Sequence, residues 1–173
     1  MTTDGTLYHP WTTYIWAREE ARRCGDRRVG TDHLLLGLLH DPAAVAVLGV
    51  SLEQCRQALD SLDREALESL GLTASLEAPP LAMRRVLARP TLRAVLKDRL
   101  PMTPAAKGAL ERAARPTRQG RHVNPHDVLL CLLDLKHPDP VADLIVELNI
   151  DAEAVRARMS GAEKAASGHP RCT

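Results

Sequence analysis

The stretch GTDHLLLGLLHDP, residues 30–42, decides how the rest of the chain is interpreted. A threonine, an acid and a histidine precede five leucines that are interrupted only by Gly37. The leucines occupy almost all sides of a helix, which is typical of a buried, central helix. We expect Thr31 to be the N-cap of this helix, with Asp32 in the first turn, where the helix dipole favours a carboxylate.

The same pattern returns about ninety residues later as PHDVLLCLL, residues 125–133. The aligned pairs are Val29 and Val123 at a shift of 94, then Gly49 and Asn149, and Ser51 and Asp151, at a shift of 100. Glycine and asparagine both tolerate the left-handed backbone conformation, and serine and aspartate both cap helices, so these substitutions preserve the local physics. The chain is therefore predicted to be an internal tandem repeat.

Composition favours an all-α fold. Strand signals are scarce, the sequence has no phenylalanine, and alanine, leucine, arginine and glutamate, which are good helix formers, dominate it. We predict a tandem pseudo-two-fold repeat of two four-helix units with an extended helical connector. The expected segments are 1–62 for the first repeat, 63–102 for a connector with a basic helical segment, 103–160 for a second, degenerate repeat, and 161–173 for a flexible tail.

Charge and hydropathy exclude several classes of protein. The net charge of +1 creates no global field that would select nucleic acid or membrane. No apolar run approaches the ~20 residues that span a bilayer, and the N-terminus lacks the features of a secretory signal. The four cysteines form no CxxC pair, so free thiols and a cytoplasmic location are expected.

The first repeat reads EARRCGDRRVGTDHLLLGLL from Glu20 to Leu39 and is followed by LGVS at residues 48–51. This arrangement resembles the Clp N-terminal (Clp R) repeat domain of ClpA- and ClpC-type unfoldases, over about residues 8 to 160. The resemblance implies an all-α domain that docks adaptors and substrates in front of the AAA+ rings. No GxxxxGK[ST] phosphate loop occurs in the sequence, so we expect a stand-alone docking domain without AAA+ modules.

The resemblance also assigns candidate site residues. In some Clp N-terminal domains the acid of the GT[DE]H box receives phosphorylated arginine, which would place such a site at Thr31, Asp32 and His33. A carboxylate suits a guanidinium, and the N–H groups of a helix N-terminus suit a phosphate. The alternative is a purely structural helix start. In the second copy His126 and Asp127 make a doubtful second site, because Pro125 removes a backbone donor.

Two further surfaces are candidates. The four aromatic residues, Tyr8, Trp11, Tyr14 and Trp16, either pack the first helix onto the core or form a surface for an apolar peptide or a small molecule. The basic residues of the connector, Arg84, Arg85, Arg89 and Arg93, are either a solvated helix face or a surface for an anionic partner. Nucleic acid is the weaker possibility, because a stronger overall positive charge usually accompanies it.

The sequence contains no catalytic constellation, and we expect neither enzyme activity nor a metal or other cofactor. Cys131, in the middle of VLLCLL, is expected to be an inert core thiol. The predicted function is a non-enzymatic protein- or peptide-binding module that acts as a decoy, modulator or adaptor in Clp-dependent proteolysis. Its expected partners are a Clp unfoldase, an adaptor or a degron-bearing substrate. The alternatives are sequestration of a Clp-targeting small molecule and, more remotely, nucleic-acid binding through the connector.

Overall fold

The computed structural model describes residues 10–71, 100–115 and 124–167, and these residues form eight α-helices and one isolated β-bridge. The helices are α1 (Pro10–Cys24), α2 (Thr31–Leu38), α3 (Pro42–Leu48), α4 (Leu52–Ser69), α5 (Pro104–Ala113), α6 (Pro125–Leu133), α7 (Pro140–Glu147) and α8 (Ala152–Ser167). The all-α prediction is confirmed. None of these helices is long and apolar enough to cross a membrane.

The helix ends that the two copies share have the predicted local geometry. The residue after the third helix of each copy is left-handed, with φ of 76° at Gly49 and 56° at Asn149. Ser51 then accepts the Gln54 N–H at 3.2 Å, while the aligned Asp151 accepts the Glu153 N–H at 2.9 Å. The sequence alignment of the two copies therefore predicts the backbone correctly at these turns.

Helix α4 is longer than the sequence suggests. It runs without a break from Leu52 to Ser69. It therefore crosses residue 62, where the first repeat was expected to end. Residues 72–99, which contain most of the expected connector, lie outside the described ranges.

Contacts between the helices of the two copies come in reciprocal pairs. Helix α1 packs on α6 and α2 packs on α5, so the first helix of each copy contacts the second helix of the other. Likewise α3 packs on α8 and α4 packs on α7, while the two second helices, α2 and α6, contact each other. This pattern fits a pseudo-two-fold arrangement; the residue-by-residue repeat remains a prediction.

Helix α2 is the centre of the core, and every residue from Thr31 to Leu38 is buried. Gly37 allows α1 to cross it closely, because a Cβ atom at this position would lie 2.7 Å from both the Ala17 nitrogen and the Thr13 carbonyl oxygen. Both obstacles are backbone atoms of α1, so they could move only if the whole helix moved. The interruption of the leucine run is thus a helix-crossing point.

A buried carboxylate ties α1 to α4. Glu20 is 2% exposed, and Arg56 donates to both of its oxygens, at 2.6 and 3.0 Å. Arg23 lies 3.1 Å from the same carboxylate and His40 Nε2 lies 2.8 Å from it. Burial alone would raise the pKa of Glu20, but the bonds from Arg56 and His40 and the charge of Arg56 lower it from 4.5 to about 2.

The segment before α5 is fixed beside the segment before α2. The Val29 N–H donates to the Pro101 carbonyl and the Thr103 N–H donates to the Val29 carbonyl, both at 2.9 Å. The Tyr14 hydroxyl donates to the Leu100 carbonyl at 2.8 Å. These bonds hold the start of the second copy against residues that lead into the GTDH box.

We predict that Gly37→Ala lowers the free energy of unfolding by about 1–3 kcal/mol, because overpacking against backbone outweighs the better helix propensity of alanine. Gly108→Ala on α5 is the matched control, since the nearest atom to its Cβ would be Arg112 Nη1 at 3.8 Å. That control should stabilise the protein by about 0.5–1 kcal/mol. Urea unfolding of both variants decides the point, and a stable Gly37→Ala protein would contradict the crossing geometry.

We predict that Glu20→Gln destabilises the protein at neutral pH by about 1–3 kcal/mol, because charged hydrogen bonds to a buried group are lost. The folded-state pKa of Glu20 is lowered, so its contribution is complete above pH 4.5 and is lost as the pH falls through about 2. The difference between native protein and variant should shrink over that interval in acid unfolding experiments. Glu53→Gln removes only the exposed partner of Arg56 at 3.5 Å and should cost less than about 0.5 kcal/mol.

Candidate functional site

The GTDH box forms the start of α2, and the prediction that Thr31 is its N-cap is wrong. Gly30 occupies the N-cap position with extended backbone angles, φ −91° and ψ −179°, and Thr31 is the first helical residue. The Thr31 hydroxyl instead donates to Asp139 Oδ1 at 2.5 Å. Because Asp139 caps α7 in the second copy, this bond joins the two halves of the fold at the box.

Helix α2 begins without a side-chain cap, because Gly30 has no side chain to supply one. The other described N-caps with a side-chain acceptor are Asp41, Ser51, Thr103, Asn124, Asp139 and Asp151. The first intrahelical bond of α2 is that of Leu34 N–H to the Gly30 carbonyl at 3.2 Å. The amide dipoles of the first turn are therefore not compensated by a side chain of the N-cap residue.

The Asp32 carboxylate folds back over Gly30. A Cβ atom at position 30 would lie well inside contact distance of Asp32 Oδ1, so the observed position of Asp32 requires a glycine there. The Asp32 side chain keeps 12% of its surface exposed, and its Oδ1 lies 3.3 Å from His33 Nδ1. The box thus presents a small part of one carboxylate at an otherwise buried helix start.

His33, the last residue of the GTDH box, is buried. Its Nδ1 accepts the Gly30 N–H at 3.1 Å, and its Nε2 lies 3.1 Å from Asp26 Oδ2. Burial alone would lower the pKa of His33, but hydrogen bonds with Asp32 and Cys24 outweigh burial and raise it to about 10. An imidazolium has no lone pair at Nδ1, so protonation exchanges the Gly30 contact for donation to Asp32.

The surroundings of the box are acidic. Asp63 on α4 has a raised pKa, first because it is partly buried and then because of the negative charges of Asp26, Asp32 and Asp60. Mutual repulsion among these carboxylates favours a bound cation, and a guanidinium would fit such a group by charge and by hydrogen bonding. Sequence reasoning missed Asp26, Asp60 and Asp63, because only the fold brings α4 to the start of α2.

The second box, at the start of α6, is arranged differently. Asn124 caps the helix by accepting the Asp127 N–H at 3.1 Å, and Asp127 Oδ2 accepts the Asn124 N–H in return at 2.9 Å. His126 beside it is half-buried. The acid of the second box therefore serves as a reciprocal cap, whereas Asp32 does not cap its helix.

Two of the four aromatic residues have described side chains, and these two differ in exposure. Tyr14 is buried and bonded to Leu100, so it packs in the core and offers no exposed ring. Trp16 is 43% exposed and stacks on His40 with ring centroids 4.4 Å apart, and Ile15 beside it is 50% exposed. Tyr8 and the Trp11 side chain lie outside the described part of the chain.

The remaining candidates are the basic residues of the connector, Cys131 and a possible metal site. Arg84, Arg85, Arg89 and Arg93 lie outside the described residues. Cys131 was expected to be fully buried but is half-buried, and burial raises the pKa of its thiol. Among the described residues no group of three His, Cys, Asp or Glu side chains could hold a metal ion.

Comparisons with known proteins agree with this fold. The chain is 30% identical over 146 residues to a ClpA homologue from Cyanidium caldarium, named as an ATP-binding subunit of an ATP-dependent Clp protease. The match covers 83% of this chain and 14% of that relative. The structure is also similar to the N-terminal domain of the Clp-associated chaperone ClpD from Arabidopsis thaliana, with a TM-score of 0.57, 19% identity, and coverage of 87% and 94% of the two chains. No protein-family model matches the chain.

Proposed function

We propose that this chain, which carries a Clp N-terminal domain, is a docking module that binds adaptors or degron-bearing substrates of Clp-dependent proteolysis. The observation that carries the proposal is the start of α2, where an uncapped helix N-terminus and the Asp32 carboxylate lie side by side. The role requires binding and no chemical step. The chain spans 14% of the length of its ClpA-type relative.

Phosphoarginine is the ligand chemistry that this arrangement accommodates best. Its guanidinium group matches the charge of the carboxylates of Asp32 and Asp63, and its phosphate matches the positive end of the dipole of α2, whose N-cap residue supplies no side-chain acceptor. The cationic and the anionic group of the ligand would therefore each meet a group of opposite charge, the carboxylates and the N-terminus of α2. Because Asp32 is mostly buried, we expect the ligand to contact the exposed edge of its carboxylate.

The proposal places one site in the domain. Asp127, the acid of the second box, already accepts the Asn124 N–H, and Pro125 at the first helical position supplies no N–H. A ligand at α6 would have to displace the reciprocal cap. Binding to the first box should accordingly have a stoichiometry of one.

Calorimetric titration with phosphoarginine, and with a peptide that contains it, tests the site. The native protein should bind one equivalent, and Asp32→Asn should weaken binding about tenfold or more because a charged hydrogen bond is lost. Gly30→Ala should weaken it as well, because the new Cβ displaces the Asp32 carboxylate. Asp127→Asn is the matched control, since its amide oxygen can still accept the Asn124 N–H, and it should bind like the native protein.

The outcomes separate the alternatives. Equal loss in the Asp32 and Asp127 variants would mean that binding does not depend on the first box. No heat with the native protein would leave GTDH as a structural helix start and would contradict the proposed ligand.

Two roles in Clp-dependent proteolysis remain to be distinguished, a decoy and an adaptor. We expect that adding the protein to an unfoldase–peptidase reaction with a phosphoarginine-marked substrate slows degradation, because the free domain competes for the degron. Acceleration would indicate an adaptor, which presents its cargo to the motor. An unchanged rate at concentrations above the measured Kd would count against both roles, and the Asp32→Asn variant serves as the control.

Sequestration of a Clp-targeting small molecule is the second candidate function. The Trp16 ring favours it, because it is 43% exposed and stacked on His40, and an exposed aromatic ring can pack against an apolar ligand. In the same degradation reaction, sequestration would restore activity that the compound had altered, and Trp16→Ala would abolish that rescue. Nucleic-acid binding through the connector has no supporting observation among the described residues.

A further inference from the structure

The loop between α1 and α2 carries two exposed arginines, Arg27 and Arg28, directly before the GTDH box. Within the described residues neither arginine forms an ion pair or a side-chain hydrogen bond. This holds although acidic groups are close by, since Asp26 belongs to the same loop and acts electrostatically on Asp63 of α4. Both guanidinium groups are therefore open to an external partner.

Both ends of this loop are fixed by backbone hydrogen bonds. The Asp26 N–H donates to the Ala21 carbonyl of α1 at 2.9 Å. At the other end Val29 is fully buried, and its N–H donates to the Pro101 carbonyl at 2.9 Å. The two arginines are the residues between these anchors, so the backbone that carries them is held in place while their side chains are exposed.

The position of these arginines is electrostatically unfavourable for the chain alone. A helix N-terminus favours anions, whereas cations are favoured at a helix C-terminus. Arg28 lies two residues before Gly30, the N-cap of α2, and this N-cap supplies no side-chain acceptor. The C-terminus of α1 already has Arg22 and Arg23 in its last turn. An anion between the loop and the start of α2 would relieve this accumulation of positive charge.

We propose that Arg27 and Arg28 are the anion-binding element of the docking site, which binds the phosphate of a phosphorylated arginine and selects it over unmodified arginine. This inference rests on the proposed function, because it assigns residues to one end of the same ligand. Guanidinium groups bind phosphate through paired, charge-assisted hydrogen bonds. Two residues of chain span at most about 7 Å, so the Arg28 side chain can reach an anion at the start of α2.

The charges of the site then follow the charges of the ligand. The guanidinium group of the ligand faces the carboxylates of Asp32 and Asp63, and its phosphate faces Arg27, Arg28 and the N-terminus of α2. Unmodified arginine has no phosphate, so the two loop cations repel it. Selectivity therefore has an attractive and a repulsive component.

Calorimetric titration of the full chain with phosphoarginine and with arginine measures this selectivity. The double variant Arg27→Gln/Arg28→Gln should bind phosphoarginine about tenfold more weakly, because charge-assisted hydrogen bonds to the phosphate are lost. Its affinity for arginine should be unchanged or higher. Arg64→Gln on α4 is the matched control, since Arg64 is also exposed and has no ion pair in the described part of the chain. This control should bind phosphoarginine like the native protein.

Inorganic phosphate tests the arginines without guanidinium recognition. It should raise the melting temperature of the native protein above that in sodium chloride of equal ionic strength, because a ligand that binds the folded state stabilises it. The Arg27→Gln/Arg28→Gln variant should lose most of this rise, and Asp32→Asn should keep it. Without ligand the double variant should be at least as stable as the native protein, because two cations leave the vicinity of a helix N-terminus.

Equal phosphoarginine affinity in the native protein and the double variant would overturn the proposal. An equal loss in Arg64→Gln would also overturn it, because the effect would then be one of net charge. Binding that Asp32→Asn loses and the double variant keeps would leave the docking function standing without these arginines. A phosphate-dependent rise that the double variant loses, without any phosphoarginine binding, would support the anion-binding element and contradict the ligand proposed for the box.

Discussion

The close crossing of α1 over α2 at Gly37 is the contact on which the rest of the structure depends. The crossing covers one side of α2, and contacts with α4, α5, α6 and α7 complete its burial. Burial of α2 in turn places the GTDH box at an internal helix start and not at a free end. The carboxylate of Glu20 then holds α4 against α1, and α4 brings Asp60 and Asp63 to the box. The electrostatic character of the candidate site therefore follows from how two helices pack on a third.

The start of α2 is held in place by tertiary hydrogen bonds, and its N-cap residue supplies no side-chain acceptor. Thr31 is anchored to Asp139, and Val29 is anchored to the segment before α5, so the backbone cannot rearrange to supply its own cap. A glycine at the N-cap costs only a few tenths of a kcal/mol relative to a residue with a side-chain acceptor, so the fold tolerates the missing cap at about that small cost. If the proposed ligand binds here, its anionic group meets a helix start that is already held in place, and such preorganisation lowers the free-energy cost of binding.

Sequence periodicity and turn chemistry were sufficient to predict the parts of the fold that local interactions determine. The buried leucine helix, the left-handed Gly49 and Asn149, and the Ser51 cap all belong to this class. The N-cap of α2 was mispredicted, because threonine is the better local cap and its actual partner lies 108 residues away. The acidic residues of α4 near the box were missed for the same reason, since only tertiary packing brings α4 close to the start of α2.

In each copy an arginine of the fourth helix pairs with a carboxylate, but the carboxylate stands at a different position in the two copies. Arg56 aligns with Arg156 at a shift of 100, yet at the shift of 94 that holds for the first part of the repeat Ala114 stands where Glu20 would be. Arg156 instead donates at 2.8 Å to Asp134, the counterpart of His40 at the same shift of 94. In the boxes the acid also moves by one residue, from Asp32 to Asp127, and becomes a cap. An arginine whose partner has moved can still stabilise its helix, because either acid satisfies a guanidinium. A carboxylate that caps its own helix is already occupied by a backbone N–H, so under the proposed function only the first box keeps a carboxylate for a ligand.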